Sequence, residues 1–212
     1  MDKGRFITLE GGEGAGKSTQ VRLLKAALED HGIEVVMTRE PGGSKGAEEI
    51  RELLVTGEPG RWDGMTEALL NFAARRDHLV KTIWPALERG AWVISDRYAD
   101  STIAYQGYGH GLDLPALYKL WDIGVDGFRP DLTFVLDLPV ETGIARALGR
   151  GDGEDRYEKM ATEFHHKLRA GFLEIASNEP DRCCVIDASG SIEEIQRDMR
   201  AGVSKRFGVA LP

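Results

Sequence analysis

Residues 6–19 read FITLEGGEGAGKST, an apolar run followed by a glycine-rich turn and the start of a helical pattern. Within this stretch, residues 11–18 fit the pattern G-x-x-x-x-G-K-[ST]. In such a loop the glycines let successive backbone N–H groups turn toward one centre, and the N-terminus of the following helix adds partial positive charge. The segment therefore predicts a phosphate-binding loop (P-loop) for a nucleoside triphosphate, set between a strand and a helix.

The side chains at the end of this loop have separate expected tasks. Lys17 reaches the outer phosphates and the Ser18 hydroxyl can bind Mg²⁺, whereas Thr19 fits an ordinary first-turn residue. The segment predicted to contact the triphosphate consists of Gly11, Gly12, Glu13, Gly14, Ala15, Gly16, Lys17, Ser18 and Thr19.

Beyond the loop, short apolar runs alternate with longer helical patterns. Helical spacing marks the residues that end at Gly32, those that begin at Ser191, and a long stretch at about 65–89 with Pro85 near its end. The strand candidates are residues 5–10, 34–40, 91–96, 132–137 and 183–188. This alternation is typical of a parallel sheet covered by helices. We expect a three-layer α/β P-loop fold with a five-stranded parallel sheet flanked by helices, as a single domain over residues 1–212.

The composition argues against several classes of partner. The chain of 212 residues has 35 Asp and Glu against 27 Lys and Arg, and its net charge of −8 has the wrong sign for non-specific binding to a nucleic-acid backbone. No apolar stretch has the length that spans a bilayer, and the start of the sequence lacks the apolar core of a signal peptide. We therefore expect a cytoplasmic protein with neither a nucleic-acid nor a membrane partner.

A second charged motif follows the third predicted strand. Asp96 and Arg97 stand at the carboxyl end of that strand, where open α/β sheets place ligands. From this position Asp96 can hold the magnesium shell, directly or through water, and Arg97 can bind a phosphate in bidentate geometry. The alternative is an ion pair that only caps the strand, and it fits less well with the P-loop that the motif would face.

Further arginines occur in segments expected to converge on the same edge of the sheet. Arg39 ends a predicted strand, whereas Arg51 and Arg75, with Arg76 beside it, lie in helical patterns. Arginines on exposed helices are usually solvated. These arginines, however, supply more cationic side chains than one bound triphosphate requires. A second phosphorylated ligand would account for them.

A glycine-rich charged segment, GRGDGED at residues 149–155, predicts either a surface turn or a mobile lid. Arg146 and Arg150 share a helix face at i, i+4 spacing, and Arg156 follows the segment. On a short lid over about residues 146–157, such arginines can stabilise the charge on a transferring phosphoryl group.

The P-loop alone does not identify the phosphoryl acceptor. The sequence has no N-K-x-D motif to read guanine, which disfavours a GTPase switch. A nucleoside monophosphate or deoxynucleoside kinase and a non-catalytic nucleotide-binding protein stay open as alternatives, and a structural or nucleic-acid-binding module is a more distant one.

Taken together, these segments closely resemble the bacterial thymidylate kinases. The resemblance covers nearly the whole chain, and its most specific part is DRYADSTIAYQG at residues 96–107, which follows a P-loop. The matching segments are residues 6–19, 38–54, 74–79, 94–112 and 153–158. The resemblance implies phosphorylation of the small molecule dTMP to dTDP with ATP and Mg²⁺, by direct in-line transfer, in a homodimer.

The resemblance also implies roles for individual residues. Lys17 and Ser18 serve ATP and Mg²⁺, and Asp96 supports the metal. The dTMP phosphate is expected to be surrounded by Arg39, Arg51, Arg75 and Arg97. The nucleoside is expected to lie against Glu13, which approaches the 3′-hydroxyl, and Thr102, Tyr105 and Gln106, of which Tyr105 crowds a ribose 2′-hydroxyl.

The lid is expected to supply a catalytic cation. Position 14 in the P-loop is glycine rather than arginine, whereas the lid does carry arginines. This matches the bacterial subtype in which the lid provides the cation, here Arg150 or Arg156. Together with Lys17 and Arg97, these arginines form the predicted catalytic set.

One position departs from the family pattern. If the segment is aligned on Arg75, the usual thymine-stacking phenylalanine falls on Asn71, and Phe72 stands beside it. An amide does not replace an aromatic face, and one step along a helix turns the side chain by about 100°. In a register shifted by one residue, Phe72 pairs with Arg76 instead. Both Asn71 and Phe72 are therefore substrate-binding candidates.

The expected base specificity is uneven. A hydrophobic pocket gains only about 1–3 kcal/mol from the thymine methyl group, so rejection of dUMP should be modest. A site that hydrogen-bonds the thymine edge through Gln106 would exclude cytosine or a purine more strongly, because buried polar groups would be left unpaired.

Overall fold

The structure is a computed structural model that describes residues 3–58, 60–148, 157 and 160–211. Five parallel strands form one sheet in the order β2-β3-β1-β4-β5. The strands are β1 Phe6–Glu10, β2 Val35–Arg39, β3 Trp92–Asp96, β4 Leu132–Asp137 and β5 Cys183–Asp187. All five predicted strands are thereby confirmed.

Helices connect the strands and cover the sheet. They are α1 Lys17–Glu29, α2 Lys45–Val55, α3 Gly64–His78, α4 Trp84–Glu88, α5 Ala99–Thr102, α6 Leu114–Val125, α7 Val140–Leu148, α8 Thr162–Asn178 and α9 Ile192–Phe207. Two π-helical segments, Leu79–Ile83 and Ile103–Gly109, lie among them. Over the described ranges, none of the helices has the length and apolar content that crossing a bilayer requires.

The core lies on both faces of the sheet, because neighbouring residues of a strand point to opposite sides. On β1, Phe6 packs into a cluster with Trp121 of α6, which also includes residues of α3 and α8. Its neighbour Ile7 packs into a second cluster with Leu24 of α1 and Met199 of α9. The predicted three-layer α/β architecture is confirmed by this arrangement.

The register of the strands brings the predicted site residues to one edge. Asp96 at the end of β3 lies opposite Leu9 of β1 and Arg39 of β2. The P-loop leaves β1, the central strand of the sheet, at this same edge. The carboxyl ends of the strands therefore meet where a parallel sheet places its ligands.

The long helical stretch predicted at about residues 65–89 is divided in three. It contains α3, the π-helical segment Leu79–Ile83 and the short helix α4 with Pro85 in its first turn. Proline has no N–H and clashes with the carbonyl four residues earlier, which here lies in the middle of the π-helical segment. The wider turn relieves that clash, so the break comes before Pro85 rather than at it.

Candidate active site

A cleft of about 270 Å³ opens at the carboxyl edge of the sheet. It brings together residues that are far apart in the sequence, from the P-loop, from the end of β3 and from α2, α3 and the segment after α5. The predicted site residues that line it are Glu13, Gly14, Ala15, Gly16, Lys17, Ser18, Arg39, Arg51, Asn71, Asp96, Arg97, Thr102, Tyr105 and Gln106.

The glycines of the P-loop are required by close backbone approach. Gly11 and Gly14 have φ of 131° and 68°, a region that favours glycine. A Cβ at Gly11 would lie 2.4 Å from the carbonyl oxygen of Leu136, and a Cβ at Gly14 would lie 2.1 Å from that of Gly143. The loop therefore packs against the end of β4 and the first turns of α7 with no space for a side chain.

Lys17 lies inside this loop. Its side chain is buried, and Nζ donates hydrogen bonds to the carbonyl oxygens of Gly11 at 3.1 Å and Gly12 at 2.8 Å. Burial, and after it the neighbouring charge of Arg97, lower the pKa of Lys17 to about 8. The ammonium group is still charged at neutral pH and stands at the loop expected to hold phosphates.

Ser18 and Asp96 meet across the cleft. The Ser18 hydroxyl donates to Oδ2 of Asp96 at 2.6 Å, although the two residues are 78 positions apart. Both offer oxygen atoms, the ligand type that Mg²⁺ prefers. Within the described ranges there is no group of three or more His, Cys, Asp or Glu residues placed to hold a metal. This pair fits Mg²⁺, which usually takes one or two protein ligands and completes its shell with water and phosphate oxygens.

Arg97 is the centre of a polar cluster. Its Nη1 donates to the Gly11 carbonyl at 2.9 Å and to Ser101 Oγ at 3.1 Å, and its Nη2 donates to Glu13 Oε1 and to the Tyr105 hydroxyl, both at 2.9 Å. The Tyr105 hydroxyl in turn donates to Glu13 Oε1. The backbone of Arg97 has a φ of 71°, which a residue with a side chain rarely adopts. This strained backbone aims the guanidinium at the P-loop.

Two further arginines line the cleft on its α2 side. Arg39 has 52% of its side chain exposed and donates to Glu48 Oε2 at 3.1 Å. Arg51 donates from Nη1 to the carbonyl oxygen of Pro41 at 2.8 Å. With Lys17 and Arg97, they give the cleft four cationic side chains, in agreement with the expected excess over one triphosphate.

Arg75 lies behind the cleft wall. It is 2% exposed, donates from Nε to Glu40 Oε2 at 2.6 Å, and donates from Nη2 to the Tyr98 carbonyl and to Thr102 Oγ1, both at 3.1 Å. Because Thr102 accepts this bond, its own proton is free to point elsewhere. Arg75 is not among the side chains that line the cleft, so its contact with a substrate phosphate stays a prediction.

Asn71 and Phe72 take different positions relative to the cleft. Asn71 lines the cleft, and its Nδ2 donates to the carbonyl oxygen of Glu67 one turn earlier at 2.9 Å. Phe72 is 4% exposed in the core, where its ring lies against Gly124 and 4.7 Å from the Arg75 guanidinium carbon. Phe72 is not among the residues that line the cleft, because one helical step turns its ring away from that space, so its contact with a substrate stays a prediction.

Two functional candidates, Glu67 and Tyr157, are not predicted from the sequence. Glu67 is fully buried on α3, and its Oε2 accepts hydrogen bonds from Gln106 Nε2 at 2.9 Å and from the Tyr157 hydroxyl at 3.3 Å. Helical spacing is the signal that points to it, since Glu67, Asn71 and Arg75 recur every four residues and share one face of α3. Tyr157 also packs edge-on against Tyr105 at 5.2 Å.

The lid candidates are described only in part. Arg146 is exposed on α7, whereas Arg150 and Arg156 lie outside the described residues.

Comparisons with known proteins agree on one family. Residues 9–199 match the family model of thymidylate kinase. A thymidylate kinase of Caulobacter vibrioides is 51% identical, over 99% of this chain and 100% of that protein. Another, of Dinoroseobacter shibae, is 52% identical over 93% of this chain and 95% of its own length. A crystal structure of thymidylate kinase from Ehrlichia chaffeensis is similar with a TM-score of 0.76 and 37% identity, over 95% of this chain and 99% of that one.

Proposed function

This chain belongs to the thymidylate kinase family and phosphorylates dTMP with ATP as the phosphate donor, and we propose that the transfer takes place in the cleft described above. The observation that carries the proposal is the meeting of two phosphate-binding elements. The P-loop with Lys17 and the Arg97 cluster open on the same space, and Arg39 and Arg51 add positive charge there. The cleft therefore provides cationic side chains for the phosphates of both substrates.

The donor side consists of the P-loop, residues 11–19. Its backbone N–H groups and the N-terminus of α1 hold the triphosphate of ATP, and Lys17 moves from its carbonyl partners to the outer phosphates. The burial that lowers the pKa of Lys17 also excludes water, so its charge acts strongly on a nearby phosphate.

The metal ligands in this proposal are Ser18 and Asp96, whose oxygen atoms already meet at 2.6 Å. When bound, Mg²⁺ neutralises charge on the phosphate oxygens and orients them. Asp96 holds the Ser18 hydroxyl in place and supplies negative charge beside it.

The acceptor side consists of the remaining cleft residues. Arg97 holds the dTMP phosphate, with Arg39 and Arg51 nearby, while Glu13 faces the 3′-hydroxyl. The nucleoside lies against Asn71, Thr102, Tyr105 and Gln106. Asn71 brings an amide to this wall where an aromatic ring was expected.

Direct in-line transfer suits this arrangement. The acceptor is a phosphate that is already ionised at neutral pH, so the site needs no strong general base. Positioning of the two substrates and neutralisation of charge supply the catalysis. In the proposal, Arg150 or Arg156 adds a cation from a lid over about residues 146–157.

The organisation of the molecule is part of the same proposal. One kinase domain over residues 1–212, a homodimer and a cytoplasmic location are expected. Analytical ultracentrifugation of the full chain checks the homodimer, and a single species at monomer mass contradicts it.

The function is tested by ADP release with MgATP against a panel of dTMP, dUMP, UMP, dCMP, AMP and GMP. We expect dTMP to be the best acceptor with dUMP behind it, because a methyl group contributes only about 1–3 kcal/mol. Faster turnover of another monophosphate would overturn the base assignment. Release of ADP without any acceptor would point to an ATPase.

A further inference from the structure

Glu67 is a buried carboxylate in contact with the wall of the cleft. It has no exposed surface, and its Oε2 accepts from Gln106 Nε2 at 2.9 Å and from the Tyr157 hydroxyl at 3.3 Å. His110 Nε2 lies 3.5 Å from the same oxygen. All three neighbours can donate a hydrogen bond, and a carboxyl oxygen that carries no proton can only accept. Glu67 therefore acts as an acceptor at the centre of this group.

The contact with Glu67 fixes the orientation of the Gln106 amide. A glutamine amide has an oxygen that accepts and a nitrogen that donates, and rotation by half a turn exchanges them. With Nε2 held by the Glu67 carboxylate, the exchange would place Oε1 against another acceptor. Gln106 lines the cleft and is 1% exposed, so water cannot readily compensate for that loss.

The orientation matters because pyrimidines differ at the edge that an amide reads. Thymine carries an N3–H donor next to a carbonyl acceptor, whereas cytosine carries an N3 acceptor next to an amino donor. A free glutamine can pair with either base by rotating its amide. A glutamine that keeps its oxygen opposite position N3 accepts from the N3–H of thymine or uracil, but in cytosine it faces another acceptor.

We propose that Glu67 is a positioning residue that sets base specificity by locking the Gln106 amide in the orientation that accepts from thymine and rejects cytosine. The inference rests on the proposed function, since it requires Gln106 to face the base of the acceptor nucleotide. Glu67 touches neither substrate in this role. It acts through Gln106, from the helix that also carries Asn71 on the cleft wall.

The test is Glu67→Gln, a change of similar shape that replaces a carboxyl oxygen with an amide nitrogen. A glutamine at 67 can present either its oxygen or its nitrogen to Gln106, so the amide at 106 is released. We expect the ratio of kcat/KM for dCMP to that for dTMP to rise by at least about tenfold, since a base that leaves a buried polar group unpaired is strongly disfavoured. A loss of folding would lower both rates and leave the ratio unchanged, and thermal unfolding checks it separately.

Two controls separate the lock from other effects of the carboxylate. Tyr157→Phe removes the hydroxyl that donates to Glu67 and should leave the dCMP to dTMP ratio as in the wild type. In a Gln106→Ala background, Glu67→Gln should no longer change the ratio, because it acts through the amide. Should Glu67→Gln prove unstable, Glu67→Met releases the amide in the same way and carries the same expectation.

The outcomes are decisive for this role. An unchanged ratio in folded Glu67→Gln overturns it, as does an equal shift in Tyr157→Phe or a shift that persists without Gln106. The wild-type chain is assayed with dTMP in the same series. Absence of dTMP turnover there would refute the proposed function itself, whereas normal turnover with an unchanged ratio refutes only the lock.

Discussion

Lys17 shows how one residue can serve opposite requirements. Its ammonium group is buried, which disfavours charge, yet the carboxylates of Glu13, Asp96 and Glu10 favour the charge, and two P-loop carbonyls accept its hydrogen bonds. A cation in this state loses little solvation when it passes to a phosphate.

Lys17→Ala should therefore abolish turnover while the fold is retained. The side chain makes its hydrogen bonds only to its own loop, so its removal takes away charge at the phosphates rather than core packing. ADP release in the presence of dTMP measures the loss, and thermal unfolding confirms the fold. Near-wild-type activity would remove Lys17 from the phosphate-binding role.

The affinity for ATP should fall as the pH rises through 8. Burial and the charge of Arg97 lower the pKa of Lys17 to about 8, so the free protein carries the charge below that pH and loses it above. Titration calorimetry on both sides of pH 8 gives the Kd for ATP. In Lys17→Ala this pH step should be absent, and a step of the same size there would assign it to another group.

At this scale, the sequence predicts residues that act through their own chemistry and misses those that act through a neighbour. The P-loop, Asp96 and Arg97 are recognisable because their spacing follows from phosphate and metal binding. Glu67 is recognisable only once α3 is packed against Gln106, 39 residues away. The position of Phe72 depends on the register of α3, which a single sequence leaves open.

Among the elements, the P-loop depends on contact with its neighbours as much as on its own sequence. Gly14 packs against the backbone of α7 at Gly143. The first helix after β4 thus supports the loop that follows β1. A change at this contact should therefore weaken ATP binding even though it replaces none of the side chains that are expected to bind the phosphates.

Gly14→Ala should destabilise the protein and weaken ATP binding. Its φ of 68° alone makes an alanine there cost about 1–3 kcal/mol, and the new Cβ would meet the Gly143 carbonyl oxygen at 2.1 Å. Chemical denaturation measures the free energy of unfolding. Gly12→Ala is the matched control, because nothing lies within 4 Å of its Cβ, and its expected change stays within about 0.5 kcal/mol. Equal losses in the two variants would contradict this account.

The elements themselves were predictable to different degrees. All five strands appear in the sequence as compact apolar runs, and the three central ones, β1, β3 and β4, are buried along nearly their whole length. The order of the strands depends on pairing between distant segments, which local patterns do not encode. Local patterns do not predict the π-helical segments either. Leu79–Ile83 relieves a clash with Pro85, and Ile103–Gly109 places Tyr105 and Gln106 in the wall of the cleft.

For the molecule as a whole, the cleft gathers residues of nearly half the chain, from Glu13 to Gln106, with Tyr157 at its rim. Tyr157 ends the predicted lid of about residues 146–157, and it contacts both Tyr105 and Glu67. The base side of the cleft is therefore linked to the segment expected to carry the catalytic cation.

Arg150→Ala or Arg156→Ala should lower kcat far more than it weakens dTMP binding. A cation that meets only the transferring phosphoryl group stabilises the transition state and not the bound substrate. The loss in kcat can reach about 10³-fold for such an arginine. Steady-state kinetics with varied dTMP separates the two effects, with exposed Arg197→Ala on α9 as the control. A change in the KM for dTMP alone would refute the lid assignment.

The left-handed backbone of Arg97 has an evolutionary consequence. Glycine would adopt its φ of 71° without strain, so the backbone conformation alone would favour glycine at this position. The same replacement would delete the guanidinium that joins the P-loop to Tyr105. Backbone conformation and side-chain chemistry therefore favour different residues at position 97. Directed evolution for stable variants should assay catalysis in every round.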